Sequence, residues 1–252
     1  MKNFDINNIG DFLEIREYTL NSRIPFTNDD HINLFRGQSK DSYVLKPVIA
    51  RYVKSVIELK SLEKKLLNDY NIEFRNKKNH KKITHKEIWK NLIHMQHYGL
   101  PTRLLDWTID PYVALFFAVQ NNNSDVGQFW VYKASTLNCE VDRFYNINPF
   151  SSNLNLVINS SFSIDKFNLA EERRFYQNGK FTFQDFKKSL TPLEQQKEIK
   201  NKITKFTINP KSKEAIKKEL EKRYITNKDL YIEFPKKIEN TINTIRKKYN
   251  LV

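Results

Sequence analysis

The chain has 252 residues, of which 39% are hydrophobic and 13% aromatic. This is enough apolar material for a packed core, and it excludes a wholly disordered chain. No apolar run approaches the roughly 18 residues of a membrane-spanning helix, and residues 1–10 lack the apolar centre of a signal peptide. A single cysteine, Cys139, cannot form an internal disulfide. We therefore expect a cytoplasmic protein without a membrane segment.

The net charge of +14 is the strongest compositional signal. Such an excess of lysine and arginine favours anionic partners, among them nucleic acids and nucleotides. The basic runs, for example residues 211–222, are spread along the chain and carry no regular aromatic pattern for base stacking. A solvated lysine-rich surface is the alternative explanation.

Hydrophobic periodicity and helix caps predict most of the first half of the chain. The predicted elements are a helix over 11–20, a strand over 32–36, a helix over 55–70 and a loop over 71–82. Thr84 and Glu87 have the spacing of a capping box, which begins a helix that ends near Gly99.

A second capped helix follows closely. Asp110 is its predicted N-cap, Pro111 occupies its first turn, and residues 112–119 are apolar on every side. The segment 100–109 between these two helices is interpreted as a loop. The remaining predicted elements are strands over 128–134, 181–183 and 203–208 and helices over 214–223 and 238–249. Helices and strands mix without regular βαβ alternation, which favours a single α+β domain.

An arginine within an apolar strand is the first candidate for a binding group. Arg36 lies between Phe35 and Gly37, and an inward-pointing guanidinium needs an anion to satisfy its five donors. Gly37 has no Cβ, so backbone or ligand can approach closely. The pair suits a phosphate-bearing ligand. The alternative is an arginine paired with one of the chain's own carboxylates.

The segment around residues 97–108 supplies the second group of candidates. Tyr98 or Trp107 would stack on a flat ring, and His97 would donate to or accept from a ribose hydroxyl. The alternative is structural: Arg103 pairs with Asp106, and Trp107 fills the core.

Other chemistries have weaker support. Five glycines leave no glycine-rich phosphate loop. His94 and His97 are three residues apart on one helix, without a cysteine or carboxylate at ligand spacing, so we predict no metal site.

These motifs resemble those of the FRG domain family, which is named for its Phe-Arg-Gly signature. Phe35-Arg36-Gly37-Gln38 matches that signature, and residues 94–118 resemble the family's long central block. A later block, built on Arg174, Gln177, Gly179 and Phe181, is also similar. The resemblance covers residues 22–239, which leaves a helical extension over 1–21 and a C-terminal helix over 240–252.

The FRG domain is distantly similar to the ADP-ribosyltransferase fold. This resemblance implies a split, mixed β-sheet flanked by helices, with NAD bound in a cleft. Arg36 would contact a phosphate of NAD, the Gly37 backbone would pair with the nicotinamide amide, and residues 105–108 would form a middle strand. The NAD-binding residues implied by motif and chemistry together are Arg36, Gly37, Gln38, Tyr98, Arg103, Asp106, Trp107, Thr108 and Gln177.

The same resemblance implies an activity. The enzyme would cleave NAD and transfer ADP-ribose to a nucleic-acid or protein acceptor, as toxins and phage-defence effectors do, and an antitoxin or immunity partner would fit that class. Glu172, and next Glu171, would be the catalytic carboxylate, with Arg36 and His97 beside it. The strict register places Arg173 at the glutamate position, which favours the alternative of a non-catalytic module that binds a nucleotide or nucleic acid. A nucleic-acid-processing protein is a third hypothesis.

Overall fold

The computed structural model describes residues 5–21, 31–74, 83–121, 124–135, 146–159, 178–231 and 234–251. The strands in this part of the chain are β1 (Asp5–Ile6), β2 (His31–Gln38), β3 (Leu104–Thr108), β4 (Gly127–Ser135), β5 (Asn155–Asn159), β6 (Gly179–Gln184) and β7 (Ile203–Ile208). The helices are α1 (Ile9–Asn21), α2 (Val56–Phe74), α3 (His85–His97), α4 (Pro111–Val119), α5 (Phe186–Ser189), α6 (Lys213–Glu221), α7 (Asn227–Leu230) and α8 (Lys236–Lys248). No helix within these ranges is long and apolar enough to cross a bilayer.

The predicted caps are confirmed. The Thr84 hydroxyl accepts from the backbone of Glu87, whose carboxylate accepts in return from the backbone of Thr84. Asp110 accepts from the Tyr112 backbone at the start of α4. Both helices therefore begin where hydroxyl and carboxylate oxygens satisfy backbone N–H groups that have no partner inside the helix.

The loop predicted over 100–109 is wrong, because residues 104–108 form an interior strand, β3. Its apolar residues are buried on both sides of the sheet, while Asp106 is exposed between them. The polar residue interrupts the apolar run, and residue pattern alone therefore suggested a loop. The strand agrees with the position that the family resemblance implied.

The seven strands form one mixed sheet in the order β1-β7-β4-β2-β3-β6-β5. Only the β1–β7 pair is parallel, and the others are antiparallel. The α+β class and the mixed sheet flanked by helices are thus confirmed. Helix α1 and strand β1 belong to this assembly, since Ile6 and Phe12 are fully buried in the core. Helix α8 buries Ile242 and Ile245.

The sheet is weakly joined at its centre. Among the described residues, β2 and β3 share a single register pair, Phe35 with Thr108, whereas β2 and β4 pair along their whole length. Two groups of helices cover one face of the sheet on either side of this junction: α1, α4 and α6 pack on the β2 half, and α2, α3 and α8 pack on the β3 half. A gap at the junction therefore lies between two separately packed halves.

Gly37 allows α4 to lie directly on β2. A Cβ added at this position would stand 1.8 Å from the carbonyl oxygen of Ala114 and 2.5 Å from the backbone nitrogen of Ala118. Both atoms belong to the helix backbone and cannot turn aside as a side chain would. The close approach predicted for Gly37 is therefore an approach of helix to strand.

Candidate functional site

A cavity of about 330 Å³ opens where β2 and β3 part. Because successive residues of a strand face opposite sides, the cavity is lined from both faces of the sheet. Phe35, Gly37 and Thr108 come from the face covered by helices, and Arg36 and Trp107 come from the other. The cavity therefore enters the sheet itself, and its volume is at the lower end of the range for small-molecule sites.

Arg36 is held across this gap. Its Nη1 donates to the backbone oxygen of Asp106 (2.5 Å) and lies 3.9 Å from the Asp106 carboxylate. Its side chain is 19% exposed, and the buried Nε has no hydrogen-bond partner within the described residues. Burial lowers the pKa of Arg36, the Asp106 charge opposes that shift, and the charge of Arg51 adds to it. The sequence offered the alternative that Arg36 pairs with an internal carboxylate. The structure shows such a pair only as the 3.9 Å contact between Arg36 and the Asp106 carboxylate.

The cavity carries an excess of positive charge. Arg51 lines it beside Arg36, and its Nε and Nη2 both donate to the Lys46 carbonyl oxygen, which fixes the guanidinium on the 3₁₀ turn Val48–Arg51. Asp106 is the one carboxylate among the described lining residues. Two guanidiniums near one carboxylate leave a net positive site that favours a phosphate or diphosphate.

Aromatic side chains form much of the remaining wall. Trp107 lines the cavity and donates from Nε1 to the Thr182 hydroxyl (3.0 Å), so its ring is fixed. Phe117 of α4 and the 42% exposed Tyr43 lie at other parts of the wall. His97, which is 9% exposed, also lines the cavity. Such rings offer flat apolar surfaces to a planar ligand group.

The loop that carries Tyr43 is fixed by polar contacts beneath it. Gln128 donates to the carbonyl oxygens of Lys40 (2.7 Å) and Tyr43 (3.1 Å). The ammonium of Lys213, 1% exposed, donates to the Ser39 carbonyl oxygen (2.7 Å). Burial lowers the pKa of Lys213. One rim of the cavity is thus held by buried hydrogen bonds, which limits its freedom to collapse into the site.

The structure brings together many of the predicted residues and leaves others elsewhere. Those that line the cavity are Arg36, Gly37, Gln38, His97, Asp106, Trp107 and Thr108. Tyr98 does not line it. Its ring packs against Phe74 and Phe234 in the helical core, and burial raises the pKa of its hydroxyl. The structure therefore places Tyr98 in the core, whereas the rings of Trp107, Phe117 and Tyr43 line the cavity.

Arg103 does not line the cavity either, and the predicted Arg103–Asp106 pair is wrong. Arg103 is fully buried and donates to the Glu63 carboxylate (2.8 Å), which is also fully buried. It donates further to the carbonyl oxygens of Gln184 and Pro149. Each of the three guanidinium nitrogens of Arg103 is thus bonded inside the core, and Asp106 is not its partner.

Three predicted residues, Glu171, Glu172 and Gln177, lie outside the described residues. Sequence reasoning also missed several lining residues, among them Arg51, Tyr43 and Gln96. Arg51 and Tyr43 lie in a segment without a recognisable motif, and only the fold brings them to β3. Within the described residues, no cluster of three or more histidine, cysteine or acidic side chains could hold a metal ion.

Comparison with known proteins adds one finding. No curated protein and no solved structure matches the chain. The family model of the FRG domain matches residues 31–126, which include β2, α3, β3, α4 and all the described residues that line the cavity.

Proposed function

We propose, from the premise that this chain carries an FRG domain over residues 31–126, that it is an NAD-cleaving enzyme related to ADP-ribosyltransferases. NAD would bind in the cavity between β2 and β3, and ADP-ribose would pass to a macromolecular acceptor or to water. The observation that carries the proposal is the placement of two guanidiniums, Arg36 and Arg51, at a cavity with a single described carboxylate.

The two arginines suit the diphosphate of NAD. The charge of Arg51 adds to the lowering of the Arg36 pKa, and an anion between the two arginines would relieve both this repulsion and the cost of burying Arg36. The buried Nε of Arg36, which has no partner in the described part of the chain, would gain a hydrogen bond at the same time. Arg51 is already oriented by the Lys46 carbonyl oxygen, so little conformational entropy is lost when it binds.

The reaction would break the bond between C1′ of the ribose and the nicotinamide nitrogen. The bonding electrons leave with nicotinamide, which becomes neutral, and the ribose ring develops positive charge. An acceptor oxygen or nitrogen, or water, then forms the new bond to C1′ and loses a proton. A carboxylate beside the ring stabilises the charged transition state, and Glu172, with Glu171 as the second candidate, remains our prediction for this carboxylate.

A second candidate is a module that binds a nucleotide without turnover. It is favoured by the register of the third motif, which places Arg173 at the position of the expected glutamate. The described lining groups, guanidiniums and aromatic rings above all, serve binding as well as they serve catalysis.

Release of nicotinamide distinguishes the NAD-cleaving enzyme from the binding module. Wild-type protein and Arg36→Ala are incubated with NAD, in the presence of RNA, single-stranded DNA or cell protein as acceptors, and free nicotinamide is measured by chromatography. Loss of a charged phosphate contact predicts a 10- to 100-fold lower rate in the variant. NAD-dependent thermal stabilisation of wild type without nicotinamide would support the second candidate. Absence of both effects would refute both.

Two controls accompany this assay. Arg223→Ala removes an exposed arginine outside the cavity and is expected to leave the rate unchanged. The melting temperature of Arg36→Ala is expected to fall by about 2–4 °C, because one hydrogen bond to the Asp106 backbone is lost. A larger fall would mean that the variant reports on folding, and Arg51→Ala then takes its place.

A further inference from the structure

We infer that Asp106 is a specificity-determining residue that binds a ribose hydroxyl of the nucleotide, so that the cavity selects ribonucleotides over their deoxy forms. The inference rests on the proposed function, because it assumes that a nucleotide occupies the cavity. It assigns Asp106 a role other than the structural partnership with Arg103 that the sequence offered as an alternative.

The position of Asp106 is unusual for an acidic residue. It lies at the centre of β3, an interior strand of the seven-stranded sheet, with buried residues on either side. Aspartate is disfavoured in strands, and Arg103, the partner that the sequence offered for it, pairs with Glu63 instead. The Asp106 side chain is nevertheless 53% exposed, and it lines the cavity.

One carboxylate oxygen of Asp106 is held in place. Gln96 Nε2 donates to Oδ2 (2.7 Å), and Gln96 is itself oriented by the buried hydroxyl of Thr102, which donates to its Oε1 (2.7 Å). A chain of hydrogen bonds that starts in the core therefore anchors Oδ2 of the carboxylate. Support by neighbouring hydrogen bonds of this kind is typical of groups that must meet a ligand in one orientation.

The other carboxylate oxygen, Oδ1, differs from Oδ2. Within the described residues, no group donates to Oδ1 of Asp106. Arg36 forms its hydrogen bond with the Asp106 backbone oxygen and remains 3.9 Å from Oδ2, so the two side chains form a long ion pair without a direct hydrogen bond. An acceptor-only oxygen beside two phosphate-binding arginines matches the layout of a nucleotide, in which hydroxyls neighbour the diphosphate. Carboxylates bind ribose hydroxyls in the same manner at dinucleotide sites.

The binding of NAD analogues tests this inference. NAD carries two riboses, so two analogues are compared, one lacking the 2′-hydroxyl of the nicotinamide ribose and the other lacking that of the adenosine ribose. For wild type, we expect one of them to bind at least tenfold more weakly than NAD, because the carboxylate would lose a charged hydrogen bond. The analogue that loses affinity identifies the ribose beside Asp106.

The decisive quantity is the ratio of the two dissociation constants in Asp106→Ala. We expect NAD to bind more weakly to this variant and the ratio of analogue to NAD to fall to within twofold of one. A merely structural role would weaken NAD and analogue equally and leave the ratio unchanged, which would overturn the inference. Asp125→Asn, which removes an exposed carboxylate that pairs with Lys40, is the matched control and is expected to keep the wild-type ratio.

The two levels of failure are separate. If wild type does not bind NAD, the proposed function fails, and this inference fails with it. If wild type binds NAD and discriminates against neither analogue, or if Asp106→Ala discriminates as well as wild type, the inference alone is overturned.

Discussion

Replacement of Glu63 by glutamine tests the assignment of Arg103 to the core. The two side chains are both fully buried, and Arg103 makes two hydrogen bonds to Glu63, one from Nε (2.8 Å) and one from its own backbone nitrogen (3.1 Å). Glutamine keeps the size and shape of the side chain while it removes the charge. The variant thus leaves an arginine in the core without its counterion.

The expected cost follows from the remaining partners of Arg103. Removal of one member of a buried ion pair costs about 3–5 kcal/mol. Arg103 still donates to two carbonyl oxygens, and its guanidinium lies over the rings of Phe183 and Phe186, with 3.5 Å to the centroid of Phe186. These contacts place the cost at the lower end, about 3 kcal/mol, which corresponds to a fall of roughly 6–12 °C in melting temperature for a chain of this length.

Urea denaturation followed by far-ultraviolet circular dichroism measures this cost. Glu73→Gln is the control, because Glu73 is exposed on the same helix, and its replacement is expected to change the free energy of unfolding by less than about 0.5 kcal/mol. The double variant Glu63→Leu with Arg103→Met is expected to recover much of the loss, since an apolar pair leaves no buried charge. A cost below about 1 kcal/mol for Glu63→Gln would refute the reasoning.

Two further predictions concern the stability of other parts of the fold. Gly37→Ala places a methyl group 1.8 Å from the Ala114 carbonyl oxygen, so we expect it to lower the free energy of unfolding in urea by more than about 3 kcal/mol. The control Gly99→Ala, where φ is 85° and the space is open, is expected to cost about 1 kcal/mol. Equal costs would contradict the close packing of α4. Burial raises the pKa of Asp69, but the hydrogen bonds from Lys248 and Tyr249 and the charge of Lys248 together outweigh burial, and the net shift is downward. Asp69→Asn is therefore expected to be less stable than wild type by at most about 1 kcal/mol above pH 5. The difference in unfolding free energy is expected to vanish as the pH falls below about 3.9 and through the lowered pKa. A difference that persists at pH 2 would contradict this prediction.

Local signals in the sequence identified the ends of helices well. The capping box of Thr84 and the N-cap Asp110 depend on residues within three positions of each other, and both were predicted from spacing alone. Gly37 was also recognised as a point of close approach, although the approaching group is a helix backbone. These features are encoded within a few residues, so no knowledge of the fold is needed.

Long-range pairing could not be predicted in the same way. Arg36 and Arg103 each follow or precede apolar residues, and nothing in their neighbourhoods separates the arginine of the cavity from the arginine of the core. The two arginines differ because Arg103 has Glu63 as its partner. Glu63 lies 40 residues away in the sequence, and the packing of α2 brings its carboxylate to Arg103. Arg51 and Tyr43 reach the cavity for similar reasons, through a segment that carries no motif.

The interior strand β3 shows why the functional segment was hard to interpret. A buried strand normally presents a continuous apolar run, but Asp106 interrupts this one. In a sequence, a polar residue that faces a cavity breaks the apolar run of its strand in the same way as the polar residues of a loop. A departure from the expected pattern of a strand thus marks a candidate for a functional position.

The dissociation constant of NAD, measured by titration calorimetry, tests most directly whether Arg36 is a nucleotide-binding group. Wild type is compared with Arg36→Gln and with the surface variant Arg223→Gln, at one fixed salt concentration. We predict that wild type and Arg223→Gln bind NAD equally and that Arg36→Gln binds at least tenfold more weakly. No binding by wild type, or equal binding by all three proteins, would contradict the account.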